Sequence, residues 1–167
     1  MARHAPILVV PVMLLLALAA CGGPEAAPTP RPECAEIPAE TFQKNADDGV
    51  AAGAVIVYER SGGNDCVDDV WSIYPDGRIV GVSGSKQASA TVTPEEVSAM
   101  LKDIDAQGFF KLVSTKHTAC QECFTYHITV KDGDRVLSVA AVDGGTDTPT
   151  EFWQIYARIK KNLPAFQ

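Results

Sequence analysis

The chain has no apolar run long enough to cross a bilayer. Ile7 to Ala20 carries no charge, but a membrane helix needs about 20 apolar residues. Pro6 and Pro11 further disfavour a long regular span. Gly-x-Ser-x-Gly, His-Glu-x-x-His and a glycine-rich phosphate loop are all missing. No nucleophile–base set is legible, and the expectation is a protein that is not an enzyme and carries no cofactor. Excess positive charge is missing too. Fourteen basic residues face 21 acidic ones, a net charge of −7, which argues against nucleic acid as a partner and against adsorption to an anionic lipid surface. No Arg-Arg pair supports a twin-arginine export route.

What is present at the start is an export signal. Arg3 supplies the basic beginning, Leu14-Leu15-Leu16 the centre of a short apolar stretch, and small residues precede Cys21. Leu18-Ala19-Ala20-Cys21 resembles the bacterial lipobox. That resemblance implies cleavage before Cys21 and a diacylglycerol thioether on Cys21, with residues 1–20 removed as signal peptide. The competing reading is an ordinary signal peptide cut nearby. One acyl chain holds a protein to a membrane only marginally, whereas two or three hold it firmly. The expected location is the bacterial cell envelope, anchored through lipid on Cys21 with the remaining chain extracytoplasmic. Those 147 residues suffice for one domain with its own core. They keep 13 basic and 21 acidic residues, a net charge of −8.

Residues 21–53 read as the lipidated cysteine and a Pro/Ala-rich tether. Pro24, Pro28, Pro30, Pro32 and Pro38 favour extended chain at about 3.1 Å per residue, a reach of roughly 50 Å. Within this span, residues 41–53 read equally well as a short helix or as more tether. Residues 54–167 read as a single α+β domain, mainly antiparallel sheet with two helices packed on one face. Strands are expected at Ala54–Tyr58, Val70–Tyr74, Ile79–Ser83, Ala88–Val92, Phe124–Val130 and Val136–Val142. Asp76-Gly77 and Asp132-Gly133 mark hairpin turns. Thr93-Pro94-Glu95-Glu96 opens one helix with a capping box, whose apolar face is Val97, Met100, Leu101 and Ile104. Thr148-Pro149-Thr150-Glu151 repeats the pattern before Phe152, Ile155, Tyr156, Ile159 and Leu163, a second apolar helical face. The recurrence raises the possibility of two ββα units.

Cys34, Cys66, Cys120 and Cys123 are an even set in an exported chain, hence disulfide candidates. Cys66 is expected to pair with Cys120 or Cys123, and Cys34 with the other. A second reading takes His117, Cys120, Cys123 and His127 as zinc ligands around a Cys-x-x-Cys knuckle. His127 is out of phase with Tyr126 and Ile128, so it is expected to face solvent. Ser83-Gly84-Ser85-Lys86 matches a Ser-x-x-Lys pattern, but it closes a strand rather than opening a helix. Asp65, Asp68 and Asp69, or Asp143 and Asp147, read as solvated loop carboxylates before they read as calcium ligands. Trp71, Trp153 and Phe109-Phe110 read as core before they read as a ligand groove.

Several of these pieces together resemble emfourin-type domains, small bacterial inhibitors of thermolysin-like metalloproteases. They are the aliphatic strand ending in Arg60-Ser61-Gly62-Gly63, the helix ending in Gly108-Phe109-Phe110, and Tyr126-His127-Ile128-Thr129-Val130 with its Asp132-Gly133 turn. Asp143 and the helix after Pro149 complete the set. The hairpin within 70–92 and the cysteines depart from that pattern, and no inhibitory residue maps onto a position here. The resemblance implies a non-enzymatic binding domain, with protease inhibition as its most concrete form. A structural or assembly lipoprotein is the alternative. Either way the expected partners are the membrane, through Cys21, and another envelope or secreted protein.

Overall fold

A computed structural model describes Cys34 and residues 37–115 and 122–166. All of these fall in one compact unit, Pro32–Gln167. The signal, Cys21 and most of the proline-rich stretch lie outside the described residues.

Six strands form one antiparallel sheet: β1 (Ile56–Gly62), β2 (Val67–Ile73), β3 (Arg78–Ser83), β4 (Lys86–Thr91), β5 (Phe124–Asp132) and β6 (Arg135–Val142), in spatial order β4-β3-β2-β1-β5-β6. Three helices complete the α+β fold: α1 (Ala39–Ala51), α2 (Pro94–Ala106) and α3 (Thr150–Lys160), with a 3-10 turn at Phe109–Lys111. β1 is the middle of the design, paired on one side with β2 and on the other with β5.

Period-two alternation sets the two faces. Ile56 and Tyr58 of β1, Trp71 and Ile73 of β2, Ile79 of β3 and Ile128 and Val130 of β5 share one face and are buried. Val97, Met100 and Ile104 of α2 and Phe152, Ile155 and Ile159 of α3 close over that face, so both expected helical stripes lie in one core. Trp71 is core, stacked on Tyr58 at 5.3 Å between ring centroids, and Phe109 is fully buried. Trp153 packs edge-on against Tyr126 at the margin of the same core. Arg158 of α3 joins Asp103 of α2 at 2.8 Å across the solvent side.

The hairpins turn on glycine where the backbone demands it. Gly77 has φ +89° and carries its chain so close to Val92 that a Cβ would stand 1.9 Å from that carbonyl oxygen. No side chain fits there. Gly84 and Gly133 each take the first central position of a two-residue turn with positive φ, the position glycine fills in type II′ hairpins. Ser83-Gly84-Ser85-Lys86 is therefore the β3–β4 turn, with Ser83 and Lys86 as its closing pair.

Two expectations about local structure need correction. Of the two readings of residues 41–53 the helix holds, and the tether does not extend to residue 53. α1 occupies Ala39–Ala51 and packs on the sheet face opposite α2 and α3, burying Phe42 and Ala46. The folded unit thus begins well before residue 54. The second capping box does not form. Thr93 and Glu96 exchange both hydrogen bonds at the start of α2, but α3 starts one residue later than that motif requires, with Pro149 at its N-cap. Thr148 Oγ1 is left buried without a hydrogen-bond partner.

The strand–hairpin–strand–helix pattern does occur twice, as β2-β3 leading through β4 to α2 and as β5-β6-α3. β2 and β5 run in the same direction, both antiparallel to β1, yet β3 lies to one side and β6 to the other. Superposing the two units would require turning the sheet over, which would put one helix on the wrong face. Since α2 and α3 share one core, the repeat is a recurring order of elements, not a rotated copy.

Candidate functional site

The state of the cysteines decides the zinc reading. Cys34 is bonded to Cys66, 32 positions apart, not to Cys120 or Cys123 as expected. Cys66 is exposed in the tight β1–β2 connection with φ +49°, and β1 and β2 bring that connection beside the incoming chain. The sulfur of Cys34 lies 3.2 Å from the Gly63 carbonyl oxygen. A disulfide sulfur has no proton to donate, so this is a packing contact. Cys123 is also disulfide-bonded. Its sulfur is therefore not a thiolate ligand, which removes a required donor from the His117, Cys120, Cys123, His127 set. His117 and Cys120 lie outside the described residues. His127 does not face solvent freely. It turns under α1 and stacks on Phe42, with ring centroids 3.9 Å apart and planes 10° apart. Among the described residues no group of three or more metal-holding side chains occurs. Alternation also splits Asp68 from Asp69: Asp69 is buried on the helix face and ion-paired with Arg60, while Asp68 is exposed on the other.

Two features of the sheet can receive a ligand. The first is its free edge. At the β6 edge the chain covers itself: Thr115 N donates to the Ala140 carbonyl at 3.0 Å, and Ala140 N donates to Ser114 Oγ at 3.0 Å. At the other edge no strand pairs with β4 among the described residues. Lys86, Gln87, Ser89 and Thr91 of β4 are exposed. The Val92 amide donates back to the Gly77 carbonyl, so even-numbered amides face β3 and those of Gln87, Ser89 and Thr91 face outward. β4 has small side chains and one charge, with neither the proline nor the bulge that usually blunts an edge.

The second feature is a cleft of about 190 Å³ beneath α1, lined by Ala39, Phe42 and Gln43 of α1, Glu59, Ser114, and His127, Thr129, Ser138 and Ala140 of the sheet. Glu59 and His127 are register partners across β1 and β5, which places both on the α1 face. Thr129 and Ser138 hydroxyls bond each other at 2.6 Å. Glu59 is 1% exposed. Asn45 of α1 donates to its Oε2 at 2.9 Å, while Oε1 is buried with no hydrogen-bond partner. Burial pushes the Glu59 carboxyl up to about 7. The Asn45 bond opposes that rise and the charge of Asp68 adds to it. An ionised carboxylate in such a place is costly unless paired.

Sequence reasoning missed Glu59 and Asn45. One signal was available: a glutamate directly after Val55-Ile56-Val57-Tyr58, in phase with Val57, is an acid within a strand whose neighbours all demand burial. On the helix face, burial raises the hydroxyl pKa values of Tyr58 and Tyr126 above the usual phenol range. Both phenols pack against Tyr156 and serve the core. The chain matches no protein-family model and no curated protein.

Proposed function

We propose that this chain is a lipid-anchored, extracytoplasmic binding domain, without catalysis of its own, that holds another envelope or secreted protein at its β4 edge. The observation that carries the reading is the asymmetry of the sheet. At the β6 edge residues 114–115 engage both outward backbone groups of Ala140, whereas β4 presents outward backbone amides with no strand beside them among the described residues. An extended segment added to such an edge gains main-chain hydrogen bonds in register, with small side chains offering little steric resistance. Lipid on Cys21 would keep the domain at a membrane, and the proline-rich stretch after it would give reach.

Inhibition of a thermolysin-like metalloprotease is the concrete form this binding takes if the emfourin-type resemblance extends to activity. A protease cleft takes its substrate extended, and an edge strand or its flanking turn can fill it without donating a catalytic group. The test is titration of the oxidised protein against such a protease. Stoichiometric loss of activity at sub-micromolar concentration, with the domain uncleaved, is the expected result. Simple digestion or no effect would discard inhibition in favour of a structural or assembly lipoprotein that co-purifies with a fixed envelope partner. Anchoring is tested separately: Cys21→Ser should release the protein from membranes.

A further inference from the structure

The β4 edge leaves the cleft under α1 without a role, and the cleft has the features of a binding site. Among the described residues its walls carry one carboxyl group, one imidazole and no lysine or arginine. The carboxyl is almost wholly buried, one oxygen is held by Asn45, and the other has no partner. A buried acid with one oxygen unpartnered, an imidazole as its cross-strand neighbour and no lysine or arginine beside it among the described residues can accept a cationic donor.

We propose that the cleft beneath α1 binds a small organic cation, a primary ammonium group seated on Glu59. An ammonium carries three donors. One meets the unpartnered Oε1 of Glu59. The hydroxyls of Thr129 and Ser138, one of which donates to the other at 2.6 Å, keep lone pairs for the others. Phe42 and Ala140 give the apolar walls that an alkyl chain would follow. The volume of about 190 Å³ exceeds the ~150 Å³ of a cavity that admits benzene. That leaves room for a ligand of roughly five to eight heavy atoms. Among the described residues an anion finds no lysine or arginine here, and a divalent metal finds only one carboxylate and one imidazole. The positive end of α1 adjoins the cleft, and Glu40 in its first turn offsets it. The chain's net charge of −7 favours approach of a cation over an anion.

The probe is n-butylammonium chloride, added to the full chain in detergent and followed by NMR through the side-chain amide of Asn45. Tetramethylammonium chloride and sodium chloride at equal ionic strength are the controls, since neither can donate hydrogen bonds. A saturable shift is expected with butylammonium alone. It should weaken by at least about tenfold in Glu59→Gln, which keeps an acceptor for Asn45 but loses the charge, and persist in Glu40→Gln. Ala140→Leu, which fills the cleft without touching Glu59, should also abolish it, so the conclusion does not rest on one variant folding. An Asn45 response that is absent, linear in concentration, matched by sodium chloride, or undiminished in both cleft variants would overturn the proposal.

Discussion

Glu59 couples the stability of this domain to pH in the direction opposite to most carboxylates. Its value in the native state is about 7 against an ordinary 4.5. Between those limits the native protein keeps a proton that the unfolded chain has lost. Stability is therefore complete below about pH 4.5 and falls as pH rises through about 7. At about 1.4 kcal/mol per pH unit, the gap corresponds to roughly 3 kcal/mol. Glu59 is 1% exposed, so solvent screens little of this. Urea midpoints at about pH 5 and about pH 8 should show the wild type losing stability across that interval relative to Glu59→Gln, which has no proton to lose there. Parallel curves for the two proteins would show that Glu59 titrates normally. The same carboxyl explains why α1 sits where it does, since Asn45 supplies the hydrogen bond to Glu59 from the helix.

That helix is also the element the sequence conceals. Its buried apolar residues are Phe42 and Ala46 alone. They lie four apart, which is one turn of a stripe rather than a face, and the surface they cover includes Glu59, His127 and Thr129 rather than a hydrophobic patch. Composition offered nothing to separate this from tether. α2, by contrast, was legible to its cap, because Val97, Met100, Leu101 and Ile104 repeat over two turns behind a complete Thr-x-x-Glu box. The strands were legible within three residues except at the end of β1, which runs four residues past Tyr58 to Gly62, and their turns are marked by glycines at positive φ. Pairing of Cys34 with Cys66 was not, because it depends on α1 returning the chain to the β1–β2 turn. α1 docks through Gly49, where an added Cβ would stand 2.6 Å from Val57 Cγ2. Val57 is fully buried and β-branched, so its methyl has little room to rotate away. Gly49→Ala gains about 1 kcal/mol of helix propensity, but overpacking at a stiff site costs about 1–3 kcal/mol. The net expectation is a modest loss of stability in denaturant titration. Combining it with Val57→Ala should recover part of that loss, giving a non-additive cycle. A stabilised Gly49→Ala would mean that α1 stands further from β1.

At the scale of the whole molecule, the described residues leave β4 as the barer of the two sheet edges. α2 and α3 cover one face, α1 covers β1 and β5 on the other, and residues 114–115 engage Ala140 on the β6 edge. The β4 edge is left, and its test can be made without disturbing the fold. The Ser89 amide faces outward, because the neighbouring even-numbered amides are those turned toward β3. Proline is tolerated on an edge strand where its missing N–H would have faced solvent. Ser89→Pro should therefore leave the melting temperature within a few degrees of wild type, yet remove a central donor and place a ring where an added strand would lie. Gln87→Ala alters a side chain of β4 and leaves its backbone amides intact. If partner capture runs through main-chain pairing at this edge, Ser89→Pro abolishes it and Gln87→Ala weakens it by less than about tenfold. Equal capture by the proline variant would move the interface to the exposed turns at the ends of the sheet, where the Cys34–Cys66 bridge fixes the β1–β2 connection. The next substitutions would then go to Asn64 and Asp65.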